Sequence, residues 1–166
     1  MIDPTVVERR LAAAYDAFHR ARSRTTITHD LCAQAMGDDY PADVAPSSSC
    51  DLPLLQLMTE RLALQPYQHL VDLGCGTGGT GLWLARATGA AVRGVDISPE
   101  AIRLARARLP DFAPAFGEFQ VGSVRYTGLS YGRAHGLVCV DALGPAGDRG
   151  AALHEGAGSC SPGPVP

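Results

Sequence analysis

Residues 69–83 read HLVDLGCGTGGTGLW, with five glycines inside the eight residues 74–81. Backbone this bare can turn through conformations closed to other residues and come very close to a neighbour. The flanks limit what that turn can be. HLVDL is a short apolar run of strand length. GTGLWLARAT is a helix-length segment that Gly89 stops, and AAVRGVD is a second apolar strand. Strand, glycine loop, helix and strand within 28 residues make a βαβ unit. Its two strands must lie parallel, joined by a right-handed crossover.

The rest of the chain extends that unit. Ser98 is a good N-cap, and Pro99 suits the first helical position of a helix running to about Leu109. EFQV (118–121) reads as a third strand and HGLVCVD (135–141) as a fourth, apolar enough to be buried on both faces. Strands alternating with helices predict an α/β Rossmann-like layer with sheet order 3-2-1-4. Ahead of it, Val7, Leu11, Ala14, Tyr15 and Phe18 recur at helical spacing, so residues 5–22 should form an amphipathic helix. GDDYPADVAPSSSC (37–50) is a loop, and Asp51 can cap a further helix to about Leu64 with Pro53 in its first turn. The expected organisation is a helical cap over 1–66, a ligand-binding layer over 67–155 and a disordered tail over 156–166.

The glycine loop fits two patterns. Gly74, Gly76 and Gly79 match G-x-G-x-x-G, whereas Gly74, Gly76 and Gly78 match G-x-G-x-G. Asp96 closes the next strand about twenty residues on, where a carboxylate can bond ribose hydroxyls. Asp72 helps choose between ligands. A dinucleotide lays its pyrophosphate on the positive end of the following helix, and a carboxylate beside that turn would repel it. A ligand carrying an ammonium group and a positive sulfur would be welcomed instead. S-adenosylmethionine has both, and a ribose for Asp96. An NAD(P)-dependent oxidoreductase stays the alternative, supported by the overlapping glycine pattern and opposed by Asp72.

With these residues in view, VDLGCGTG followed by GVDISPEAI resembles the first two motifs of class I S-adenosylmethionine-dependent methyltransferases, closest to the small-molecule enzymes of GC-rich bacteria. The likeness continues through FQVGS and GLVCVDALG and covers about residues 68–155. It implies that Asp72, Gly74, Gly76 and Gly78 hold the methionine portion, that Asp96 bonds the ribose, and that Ile97 lies against the adenine. Gly122 and Ser123 stand where the family usually has Gly-Asp, near the adenine amino group. Cys139, Val140 and Asp141 would face the methyl group and a small-molecule acceptor. A sulfonium methyl is already activated, so orientation in a dry site can supply much of the rate. His29 and Asp141 are the candidates for a base if the acceptor needs one.

Other residues have plainer readings. Cys75 and Cys139 read as small packing residues, Leu82 and Trp83 as core, and Arg103, Arg106 and Arg108 as a solvated helix face. His19, His29, Tyr40 and Ser47–Ser49 belong to the cap, where each can line the pocket. Net charge of −3 argues against nucleic acid or anionic membrane as the main partner. Five scattered cysteines without a C-x-x-C pair suit neither a disulfide frame nor a zinc site, so a cytoplasmic location is expected.

The chain contains no Lys and no Asn, as a GC-rich coding sequence would produce. After Glu155, where the family has a phrase ending in RVLxPGG, this chain reads GAGSCSPGPVP. GC-rich codons for that tail can give Arg-Arg-Val-Leu-Leu-Pro-Gly-Ala-Arg in another frame. A frameshift near Gly156, or a truncated remnant that keeps only cofactor binding, is therefore expected. The fourth strand would then be an edge and a site of self-association.

Overall fold

The computed structural model describes residues 4–130, 132–144, 149–150, 154–155 and 158. Four parallel strands form one sheet, β1 (His69–Leu73), β2 (Ala91–Asp96), β3 (Phe116–Val121) and β4 (Gly136–Val138), in the order β3-β2-β1-β4 expected from the sequence. Among the described residues, five helices of defined extent accompany them: α1 (Pro4–Arg22), α2 (Ile27–Met36), α3 (Leu52–Leu62), α4 (Gly79–Thr88) and α5 (Pro99–Arg108). Single turns of tighter helix occur at Gly37–Asp39 and Leu109–Phe112.

Local chemistry sets the helix ends. The Asp51 carboxylate accepts from the Leu54 N–H, and the Ser98 hydroxyl accepts from the Ala101 N–H, each answering an otherwise unpaired donor of the first turn. Gly89 stops α4 in the left-handed conformation, with φ +74°. The sheet is covered on both faces. Leu70, Leu82, Leu84, Val92, Ile102, Phe112 and Phe119 pack on the α4–α5 side, and Val71, Leu73, Val95 and Ala134 on the other. Leu82 is fully buried, and Trp83 packs half-buried against the core.

Two sequence expectations need adjustment, and one element lies where the sequence analysis assigned nothing. That element is α2, between the expected helix and the expected loop; it buries no residue, and Ile27 and Leu31 are well exposed. β4 is shorter than the predicted 135–141, because the chain leaves the sheet after Val138 to cross the end of β1. Arg106 and Arg108 are not a solvated face. Arg106 donates to the Phe119 carbonyl, and Arg108 donates to Thr77 and to the Asp43 and Val44 carbonyls. Of the tail expected to be disordered, residues 156–157 and 159–166 lie outside the described residues, as does the frameshift phrase; the Gly158 carbonyl accepts from the Gly132 N–H at 2.9 Å. No described helix is long and apolar enough to cross a membrane.

Candidate functional site

The glycine loop is folded over the end of β2. The Gly74 and Cys75 N–H groups both donate to the Val95 carbonyl, at 2.8 and 3.1 Å, and the Gly76 N–H donates to Asp96 Oδ2 at 2.8 Å. The other oxygen, Asp96 Oδ1, accepts from the Ser98 N–H at 2.8 Å. Asp96 therefore joins the loop to the start of α5 before any ligand arrives, and each oxygen retains a lone pair for one. Gly74, Gly76 and Gly78 all have positive φ, +69°, +52° and +78°, which explains glycine at each.

Asp72 sits beneath the loop, 2 % exposed, with Oδ2 accepting from the Gly81 N–H at 3.1 Å. Burial pushes its carboxyl up to about 7, opposed by the Gly81 N–H and assisted by the nearby Asp96 charge. Near neutrality this group is poised to ionise for a cation.

Above the loop opens a cavity of about 600 Å³, within the range of small-molecule sites. Its floor includes Asp72, Gly74, Gly76 and Asp96; Ile97, Gly122 and Ser123 form one end, and Val140, Asp141 and Ala142 line another part. α1 is its roof, contributing Val7, Leu11, Tyr15, Phe18 and His19. Val7 and Phe18 are 46 % and 41 % exposed. They turn apolar surface toward the cavity instead of the core.

The roof is fastened. The Asp16 carboxylate accepts from the Ser98 hydroxyl and, at 3.0 Å, from the Glu100 N–H, placing an anion on the positive end of α5. Glu8 pairs with Arg125 at 3.0 Å, and Arg22 donates to the Pro46 carbonyl at 3.2 Å.

Most of the residues selected from the sequence meet here: Asp72, Gly74, Gly76, Asp96, Ile97, Gly122, Ser123 and Asp141 all line the cavity. Two do not. Gly78 caps α4, and a Cβ on it would meet Phe119 at 2.9 Å and Ala105 at 3.0 Å, so packing dictates glycine there. Cys139 packs under the sheet with the Val71 cluster. Ser123 is engaged in a turn, its hydroxyl accepting from the Tyr126 N–H.

The two candidate bases are placed differently. His29 stacks edge-on against Tyr40 and does not line the cavity. The Asp141 Oδ2 atom accepts from the Ser49 N–H and hydroxyl at 2.8 and 2.7 Å, which holds its carboxyl below the usual range. Asp141 instead ties the serine loop to the end of β4. The Cys75 thiol is buried and pushed well up, consistent with packing and not with nucleophilic chemistry. His19, Ser47 and Ser48 do line the cavity. Their sequence signal was faint: His19 follows Tyr15 by one helical turn, and the serines lie in an ordinary loop.

Gly74 offers a direct test of the loop. A Cβ there would lie 2.1 Å from the Ala142 Cβ. Gly74→Ala should cost about 1–3 kcal/mol as the 139–142 segment is displaced. The denaturant midpoint should fall with its slope unchanged; an unchanged midpoint would show that the contact is slack.

A family model described as "Methyltransferase domain" matches residues 70–163, more than half of the chain. The chain belongs to this methyltransferase domain family. The methyltransferase GfsG of Streptomyces halstedii is 33% identical over 69 residues, covering 42% of this chain and 25% of that protein. The chain thus spans a quarter of that relative's length. A crystallised S-adenosylmethionine-dependent methyltransferase of Geobacter sulfurreducens, in complex with S-adenosyl-L-homocysteine, is 28% identical with a TM-score of 0.57, over 66% of this chain and 44% of that one. The [4+2]-cyclase SpnF superposes with a TM-score of 0.60 at 23% identity, over 67% of this chain and 42% of that one, a likeness of fold alone. The family match and these relatives do not favour the oxidoreductase alternative. The match includes β1, the glycine loop and α4, from which the cavity floor is built.

Proposed function

We propose that the cavity binds S-adenosylmethionine and that the chain takes part in methyl transfer to a small-molecule acceptor. The observation that carries this is the placing of two buried acids, Asp72 and Asp96, beneath the glycine loop, where a pyrophosphate would meet negative charge. Asp72 suits the ligand's positive end, and the spare lone pairs of Asp96 suit vicinal hydroxyls. Ile97, Gly122 and Ser123 form a flat end for an aromatic base, with Ser123 replacing a charged acceptor there. Gly74 and Gly76 give the methionine portion backbone contact. When bound, the cofactor supplies a sulfonium methyl that needs no further activation.

The protein's own contribution is then positional. α1 excludes water from above, Asp72 compensates positive charge, and the Asp141–Ser49 clasp fixes the loop where an acceptor would enter. The serine hydroxyls of Ser47 and Ser48 are available to orient an acceptor oxygen or nitrogen. The location is cytoplasmic in this reading, supported by the free cysteines Cys32, Cys50, Cys75 and Cys139. Among the described strands, β4 pairs with β1 alone, and that open edge supports pairing with a second copy of the chain.

Thermal unfolding with added ligands tests the cofactor assignment. S-adenosylhomocysteine at a hundred times its dissociation constant should stabilise the fold by about 2.7 kcal/mol, while NAD and NADP should leave it unchanged. Stabilisation by a dinucleotide instead would overturn the reading.

A further inference from the structure

His19 lies in the roof of the cavity, 4 % exposed, and its Nδ1 has no hydrogen-bond partner among the described residues. A buried imidazole nitrogen left unpaired is costly, and native structures rarely keep one without a use. The ring is aimed at the loop. A Cβ placed on Gly76 would sit 3.6 Å from His19 Cε1 and 3.6 Å from Ser47 Oγ. Nδ1 itself is sealed off from the cavity; turning the ring over exchanges Nδ1 for Cδ2 and Cε1 for Nε2, which removes the orphan and brings a nitrogen to the gap above Gly76.

Charge in the cavity is lopsided. Its lining includes Glu8, Asp72, Asp96 and Asp141, and among the described residues only His19 and Arg125 there can carry positive charge. Arg125 belongs to the Gly122–Ser123 end and is already paired with Glu8. A zwitterionic ligand with its cation at Asp72 needs a donor for its carboxylate near the glycine loop. Among the described residues, His19 is the donor there that can carry positive charge. Its surroundings agree: burial lowers the imidazole, Asp96 is the largest charge raising it, Arg22 lowers it, and Asp16 and Glu100 raise it more weakly. An added carboxylate would compensate for the burial.

Resting on the cofactor reading above, we propose that His19 is a binding residue that donates an imidazole N–H to the carboxylate of the ligand's amino-acid portion, across the gap above Gly76. The roof helix thereby recognises the amino-acid end of the ligand, and Ser47 flanks the same gap.

Calorimetry with two ligands tests this. S-adenosylhomocysteine carries the carboxylate; S-adenosyl-3-thiopropylamine is the same molecule without it. Wild type should bind the first about twentyfold more tightly, the value of a hydrogen bond to a charged group. His19→Ala should weaken S-adenosylhomocysteine about twentyfold and leave the thiopropylamine within threefold. His19→Gln, whose amide can still donate, should recover part of the loss. Equal weakening of both ligands by His19→Ala, or none of either, would overturn the proposal while leaving the cofactor reading intact. If His19→Ala does not fold, the wild-type ratio and the glutamine variant decide: a wild-type ratio near one overturns the proposal. Failure of wild type to bind either ligand would overturn the cofactor reading and this proposal with it.

Discussion

Replacing Asp96 with alanine should weaken S-adenosylhomocysteine binding about a hundredfold. The carboxylate offers two acceptors to a pair of ribose hydroxyls, and each hydrogen bond to a charged group is worth about 1.5–3 kcal/mol. A second loss adds to the first. Asp96 Oδ2 accepts from the Gly76 N–H and Oδ1 from the Ser98 N–H, so the variant also releases the loop and the start of α5. Asp96→Asn separates the two effects. Its amide oxygen can keep one of the backbone donors but lacks the charge, so its affinity should fall between wild type and alanine. Calorimetry gives the ratios, and far-ultraviolet dichroism confirms that the sheet persists. Unchanged affinity in Asp96→Ala would remove the ribose assignment.

Asp72→Asn should stabilise the ligand-free protein at pH 8 and weaken its hold on the cofactor at the same time. The folded carboxyl titrates at about 7 against an ordinary value of 3.8. Between those values the native state keeps a proton that the unfolded chain has released. Stability is therefore fully present below about pH 4 and falls as pH rises through 7, by about 4 kcal/mol in total. Asparagine does not ionise, and its oxygen can still accept from the Gly81 N–H. The variant should lose this decline, with its largest advantage at pH 8 and none at pH 4. Its cofactor affinity should fall more for S-adenosylmethionine than for S-adenosylhomocysteine, because only the former carries the sulfonium charge. Denaturant titrations at the two pH values and a pair of binding isotherms check both halves. A variant less stable than wild type at pH 8 would show that Asp72 is ionised and satisfied without ligand.

The cavity floor was legible in the sequence because its parts are local. Asp72, the glycines and Asp96 lie within 25 residues of one another, and period and spacing report such neighbours well. Sheet order followed from the same unit. The roof was less legible. His19 meets Gly76 only through the docking of α1, and that docking depends on Asp16 reaching Ser98 and Glu100, which no local pattern encodes. Arg108 was misread for a related reason. Its sequence neighbours suggest a solvated face, but its guanidinium finds carbonyls of the 41–45 turn, more than sixty residues earlier. Gly78 shows a second kind of constraint. It satisfies a ligand pattern in sequence yet answers to Phe119 and Ala105 in space.

The fastening of α1 also orders events in time. The helix leaves the ribosome before the rest of the described fold, and its anchors lie 82, 84 and 117 residues further along the chain. At translation rates of about 5–20 residues per second, α1 waits roughly 6–23 seconds before Arg125 has been made. During that interval Val7, Leu11 and Phe18 have no cavity to face. The floor of the cavity can form from consecutive residues while the roof waits for its anchors. Competence to bind ligand thus follows the meeting of two parts of the fold that are distant in the chain, and a ligand that binds reports that they have met.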